Sequence, residues 1–196
     1  MRFLERIVLL ETMEKTLMKR AVLLALVASI IAWPAAADVA WRDGKWRVEL
    51  AGGTGIHSGG SDRSGDYMLR ATVEYEIPAT SRCTLGLRLL PLFVYEQDER
   101  DEDMVWGAGV GLGARIYTVA DEYRGFFAEV GAHALGHKHR IADNSSNINF
   151  LTGVGVGYKC KAGWHTVARW EHISNANLGR NNAGANLVSL GVGFTF

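Results

Sequence analysis

From residue 38 onward the chain alternates apolar and non-apolar positions with a period of two, and no stretch sustains the 3.6-residue period of an amphipathic helix. In Trp106-Gly107-Ala108-Gly109-Val110-Gly111-Leu112-Gly113-Ala114-Arg115, glycine alternates with apolar residues until Arg115 takes the glycine phase. The pattern recurs in Phe150, Thr152, Val154, Val156 and Tyr158, and again in Val188, Leu190, Val192, Phe194 and Phe196. Applied throughout, it predicts eight strands at roughly 45–54, 67–77, 82–95, 104–117, 125–135, 147–158, 164–174 and 186–196. Their connections alternate between long and polar (55–66, 96–103, 136–146, 175–185) and short (78–81, 118–124, 159–163). That is the layout of a barrel with extracellular loops at one end and periplasmic turns at the other, so odd strands run outward.

The side on which the apolar face lies separates two kinds of eight-stranded barrel, since a secreted lipocalin-like barrel keeps it inside and a membrane barrel outside. The non-apolar face here carries Arg47, Glu49, Arg70, Glu74, Glu76, Arg88, Arg115, Glu129, Arg169 and Glu171 among glycines. An eight-stranded barrel has an interior just wide enough for side chains, and glycines with matched opposite charges fill such a lumen better than they form a solvated wall. Trp46, Tyr67, Tyr75, Tyr95, Trp106, Tyr117, Tyr158 and Trp170 fall near strand ends, where interfacial aromatic girdles sit. Phe196 closes the last strand in the manner of bacterial outer-membrane barrels. The expected fold is all-β: an eight-stranded antiparallel transmembrane β-barrel over residues 38–196, with a packed polar interior and no pore. The formal net charge of +0 gives no electrostatic case for nucleic acid as a partner.

At the N-terminus, Met18-Lys19-Arg20 precedes an apolar run from Ala21 to Trp33, then Pro34 and Ala35-Ala36-Ala37. A basic segment, an apolar core and a small-residue cleavage site make residues 1–37 an expected signal peptide cut after Ala37, with residues 1–17 either an extended basic segment or a stretch ahead of a true start at Met18. A run of about 13 apolar residues is too short for a spanning helix, which needs roughly 20. Export makes Cys83 and Cys160 candidates for a disulfide; both fall at the same end of strands three apart.

The seventh strand reads His165-Thr166-Val167-Ala168-Arg169-Trp170-Glu171-His172-Ile173-Ser174. With Arg169 and Glu171 in the lumen, His172 and Ser174 face outward at the extracellular end, where polar groups against lipid call for a functional reason. A base two residues from a hydroxyl on one strand face suits nucleophilic catalysis; both residues sitting in the headgroup zone is the plainer alternative. The longer run Trp170-Glu171-His172-Ile173-Ser174-Asn175-Ala176-Asn177-Leu178-Gly179-Arg180-Asn181-Asn182-Ala183-Gly184 resembles the signature of the outer-membrane lipid A 3-O-deacylases, the PagL family. In that family an aromatic residue, His-x-Ser-Asn-Ala and a downstream Asn-x-Gly recur near the C-terminus.

The resemblance implies Ser174 as nucleophile, His172 as general base, Asn182 as a residue needed for activity and an oxyanion-hole donor, and Asn175 as a further motif position. It also implies a triad acid two residues beyond the motif glycine, and there the chain departs from the family, with Asn186 in place of glutamate. The implied activity is hydrolysis of the ester-linked acyl chain at the 3-position of lipid A in the outer leaflet of the cell outer membrane, without metal or organic cofactor. The partners would be lipopolysaccharide and membrane lipid, with a second copy of the chain as a further candidate. Two other readings stay open: a non-enzymatic structural or surface barrel, and another outer-membrane lipid hydrolase or acyltransferase. His137-Lys138-His139 reads as a solvated loop tip rather than a metal site, and the acidic run from Asp98 to Asp103 as a solvated loop.

Overall fold

The structure, a computed structural model, describes residues 41–57, 62–98 and 104–196; the expected signal peptide and most of the acidic loop lie outside the described residues. After a single 3-10 turn over Trp41–Asp43 come β1 (Lys45–Ile56), β2 (Tyr67–Pro78), β3 (Cys83–Glu96), β4 (Met104–Val119), β5 (Arg124–His137), β6 (Ile148–Lys159), β7 (Trp164–Ser174) and β8 (Ala185–Thr195). Each strand pairs antiparallel with its chain neighbours, and β1 closes on β8 into a barrel. Trp46 and Phe196 seal that seam by exchanging backbone hydrogen bonds of 3.1 and 2.8 Å.

The outer wall carries Leu50, Leu69, Leu89, Val110, Val156 and Leu190, all exposed. Inside, the ten Arg and Glu residues named from the sequence are all buried. An apolar exterior around a charged interior is the inverse of a water-soluble barrel and the arrangement of one that crosses a membrane with strands. Arg115 bonds Glu74 and Glu129, the latter at 2.8 Å; Arg88 reaches the same two carboxylates at 3.0 and 3.1 Å. Arg169 bridges Glu49, at 2.7 Å, and Glu129. Because each of these ten charges meets an opposite one, the desolvation cost that would expel a lone ion is offset. Lumen-side glycines make this network fit: a Cβ on Gly113 or Gly131 would collide with the Arg88 guanidinium, and one on Gly191 with Glu49 and Arg169.

Two of the expected girdle aromatics lie inside instead. Tyr117 shares the phase of Arg115, is buried, and donates to Glu76 at 2.6 Å. Tyr95 is inverted by a bulge: β3 has one extra residue relative to both neighbours, between Leu89 and Leu92 against β2 and between Leu90 and Phe93 against β4, and Pro91 lies in both intervals. A bulge suits a residue with no N–H to give the ladder, and it resets the alternation, turning Phe93 and Tyr95 inward. The Tyr95 hydroxyl then bonds Asp66, whose other oxygen accepts from the Asp98 N–H at 2.9 Å. Tyr95→Phe is expected to cost about 1–3 kcal/mol by leaving the buried Asp66 carboxylate short of a donor, measurable as a lower urea midpoint in detergent micelles.

The β5–β6 loop is not the solvated tip expected from His137-Lys138-His139. His137 ends β5 in the lumen phase of His133 and is buried, its Nε2 2.6 Å from Asn149 Nδ2 and its Nδ1 2.9 Å from the His139 carbonyl. Beyond it the loop folds into the barrel mouth, where Ile141 and Ala142 join a core of Met68, Leu90, Phe93, Leu135, Leu151 and Leu187. Gln97 pins this plug by donating to the Arg140 carbonyl (2.9 Å) and accepting from the Ala142 N–H (2.6 Å). Cys83 and Cys160 are free thiols, so the candidate disulfide is absent.

Candidate active site

β7 is held in phase from the inside. Arg169 is tied to Glu49 and Glu129, and Glu171 bonds Arg70 and Ser189, its cation being Arg70 across the lumen rather than the adjacent Arg169. With those side chains committed inward, alternation places Trp170, His172 and Ser174 on the outer wall. His172 and Ser174 are both half-buried, and Ser174 is the last residue of the strand, at the long-loop end. β6 sets Thr152 beside His172 and Phe150 beside Ser174, while β8 sets Asn186 beside His172.

Across the β7–β8 ladder, His172 Nδ1 donates to Asn186 Oδ1 at 2.9 Å. A carbonyl oxygen accepts only, so this bond keeps the proton on Nδ1 and leaves the Nε2 lone pair free to act as a base. The Trp170 ring lies nearly parallel to the imidazole, with centroids 6.4 Å apart and planes at 14°. Among the described residues Ser174 makes no hydrogen bond to His172, since alternate residues of one strand stand about 7 Å apart at the backbone.

Gly184 bounds the other side of the ring, where an added Cβ would lie 2.6 Å from His172 Cε1 and 3.3 Å from Nε2. The motif glycine is therefore the space in which the imidazole sits, a reason invisible in sequence. Gly184→Ala should tilt the ring off Asn186 and lower turnover by about tenfold, the equivalent of roughly 1.4 kcal/mol. Circular dichroism should show the barrel unchanged, and undiminished turnover would remove Gly184 from the site.

The β7–β8 loop is an amide network built around Asn175, which follows Ser174 and is fully buried. Asn175 Oδ1 accepts from the Asn177 N–H (2.9 Å), its Nδ2 donates to the Asn181 carbonyl (2.6 Å), and its carbonyl accepts from the Leu178 N–H (2.9 Å). These bonds hold Ala176 and Asn177 at φ values of 51° and 62°, a left-handed turn costing on the order of 1–2 kcal/mol per non-glycine residue. The Asn175 N–H, which stands next to Ser174 in the chain, donates to Asn182 Oδ1 at 2.9 Å, while Asn182 Nδ2 donates to Asn177 Oδ1 at 3.3 Å. Asn182 thus braces the turn with its oxygen and keeps one N–H of its exposed amide for another acceptor. Sequence reasoning missed Ser145, which reaches this loop from the β5–β6 loop; nothing in its surroundings along the chain marks it. Among the described residues no group of His, Cys, Asp and Glu is arranged to hold a metal ion.

Fold and site together define a membrane β-barrel that carries Ser174, His172 and Asn186 on its outer wall at the long-loop end. The chain belongs to the lipid A 3-O-deacylase (PagL) family, whose model matches residues 33–195. No curated protein matches it. Among solved structures it is similar to the N-terminal β-barrel domain of Pseudomonas aeruginosa OprF, at 17% identity over 79% of this chain and 100% of that one, with a TM-score of 0.48. The outer membrane protein OprG from Pseudomonas aeruginosa gives 11%, 78%, 96% and 0.42, and the Yersinia pestis outer membrane protein Ail 11%, 79%, 100% and 0.46.

Proposed function

We propose that this chain removes the ester-linked acyl chain from the 3-position of lipid A in the outer leaflet of the outer membrane, using Ser174 as nucleophile and His172 as general base. The observation that carries the reading is the hydrogen bond from His172 Nδ1 to Asn186 Oδ1, which fixes the basic tautomer on the same outward face and at the same strand end as Ser174. A nucleophile so placed meets a lipid lying in the leaflet without the lipid leaving the membrane. Ser174 Oγ attacks the ester carbonyl as its proton passes to His172 Nε2; the tetrahedral oxyanion accepts a hydrogen bond from Asn182 Nδ2. Collapse expels the sugar 3-oxygen, which takes the proton from His172, and water activated by the same histidine then hydrolyses the acyl-enzyme. Membership of the family supports the substrate, and export would be accompanied by removal of residues 1–37, checked by the mass of the mature protein.

Mass spectrometry of lipid A from cells with and without the protein tests the reading. Loss of one 3-hydroxyacyl chain is the expected result. An unchanged profile would favour a structural barrel, and altered phospholipids with intact lipid A another lipid hydrolase.

A further inference from the structure

Asn181 combines a backbone held by three hydrogen bonds with an exposed side chain. Its N–H donates to Ser145 Oγ at 3.2 Å, its carbonyl accepts from the Ser145 N–H at 3.3 Å, and the same carbonyl accepts from Asn175 Nδ2 at 2.6 Å. Ser145 belongs to the β5–β6 loop whose Ile141 and Ala142 plug the barrel, so Asn181 is clasped to the protein core and to the residue following Ser174 at once. Gly179 allows this clasp, since a Cβ there would collide with Ser145 Oγ. Yet the Asn181 side chain is exposed, and among the described residues no hydrogen bond takes up its amide. Three bonds hold the backbone beneath this exposed amide, so only its side-chain torsions are left to order on binding, which is the form of a partly pre-organised recognition group.

We propose that the Asn181 side chain is a substrate-recognition group that binds the sugar headgroup of the acylated glycolipid, with Ser145 as its positioning residue; the proposal rests on the deacylase reading. An uncharged amide offers paired donor and acceptor sites, which match the hydroxyl and amide groups of an acylated amino sugar; a phosphate would call for an arginine or lysine.

The test compares two substrates in the same detergent micelles: purified lipid A, and a p-nitrophenyl ester of a medium-chain acid, which has an ester and an acyl chain but no sugar. Asn181→Ala should lower kcat/KM on lipid A roughly three- to tenfold, through KM, as expected for one uncharged hydrogen bond. The loss on the nitrophenyl ester should be at least threefold smaller, and Ser145→Ala should show the same bias while Ser145→Thr, which keeps the hydroxyl, restores lipid A turnover. Equal losses on both substrates would overturn the proposal, since a loop that merely supports the nucleophile serves both esters alike. Binding of lipid A to Ser174→Ala protein, with and without Asn181→Ala, gives an answer independent of turnover. Weaker binding supports the contact even if lipid A proves not to be hydrolysed, and unchanged binding sinks it.

Discussion

Folded Ser174→Ala protein will fail to release 3-hydroxy fatty acid from lipid A, with a loss on the order of 10⁴-fold or more, and His172→Ala will lose about as much. In the proposed mechanism the two residues act as one unit: without Ser174 no acyl-enzyme would form, and without His172 the hydroxyl would keep its proton. The double variant should accordingly be little worse than either single one, whereas independent contributions would multiply. Neither change should disturb the fold, because both side chains face outward while β7 is held by the lumen bonds of Arg169 and Glu171. Release of labelled fatty acid, read beside the mobility shift of unheated barrel on gels, separates chemistry from folding. Substantial activity in folded Ser174→Ala would mean that another group attacks the ester.

The phase of β7 is open to sequence reading because one face meets hydrocarbon and the other is charged, so a slip by one residue would bury Trp170 among the lumen charges and expose Arg169 and Glu171 to lipid. That contrast places His172 and Ser174 on the outer wall, and antiparallel pairing brings Asn186 beside His172. Reading fails where the alternation is interrupted or where contacts join distant segments. The Pro91 bulge shifts Tyr95 by one face, and a single period-two count cannot register an extra residue. Tyr117 lies inside without any bulge: it keeps the phase of Arg115, and a place near the strand end does not override that phase. The inward fold of the β5–β6 loop depends on Gln97 from the β3–β4 connection, and the clasp on Asn181 depends on Ser145, 36 residues away. Polar loop composition holds no trace of either contact.

Asn186 is where the chain departs from its family and where the geometry makes the sharpest demand. In a serine protease the exchange of triad acid for amide lowers turnover by about 10⁴, largely because the amide selects the wrong imidazole tautomer. Here the oxygen of Asn186 faces His172 Nδ1 at 2.9 Å, so the correct tautomer is kept and only the charge is missing. An amide carbonyl orients the ring before attack, but it stabilises the imidazolium formed during attack less than a carboxylate would. Asn186→Glu should therefore raise turnover about tenfold, roughly 1.4 kcal/mol of transition-state stabilisation. Asn186→Ala, which removes both orientation and tautomer control, should lower it on the order of a hundredfold, about 2.7 kcal/mol. The lipid-facing setting bears on the gain in both directions. A new carboxylate half-buried against hydrocarbon is costly when unpaired, yet an imidazolium beside it at the moment of attack is the partner that offsets that cost. Initial rates of lipid A deacylation for wild type, Asn186→Glu and Asn186→Ala in one detergent decide the matter. Equal rates for Glu and Ala would show that Asn186 does not serve His172 in catalysis, whatever bond joins them at rest.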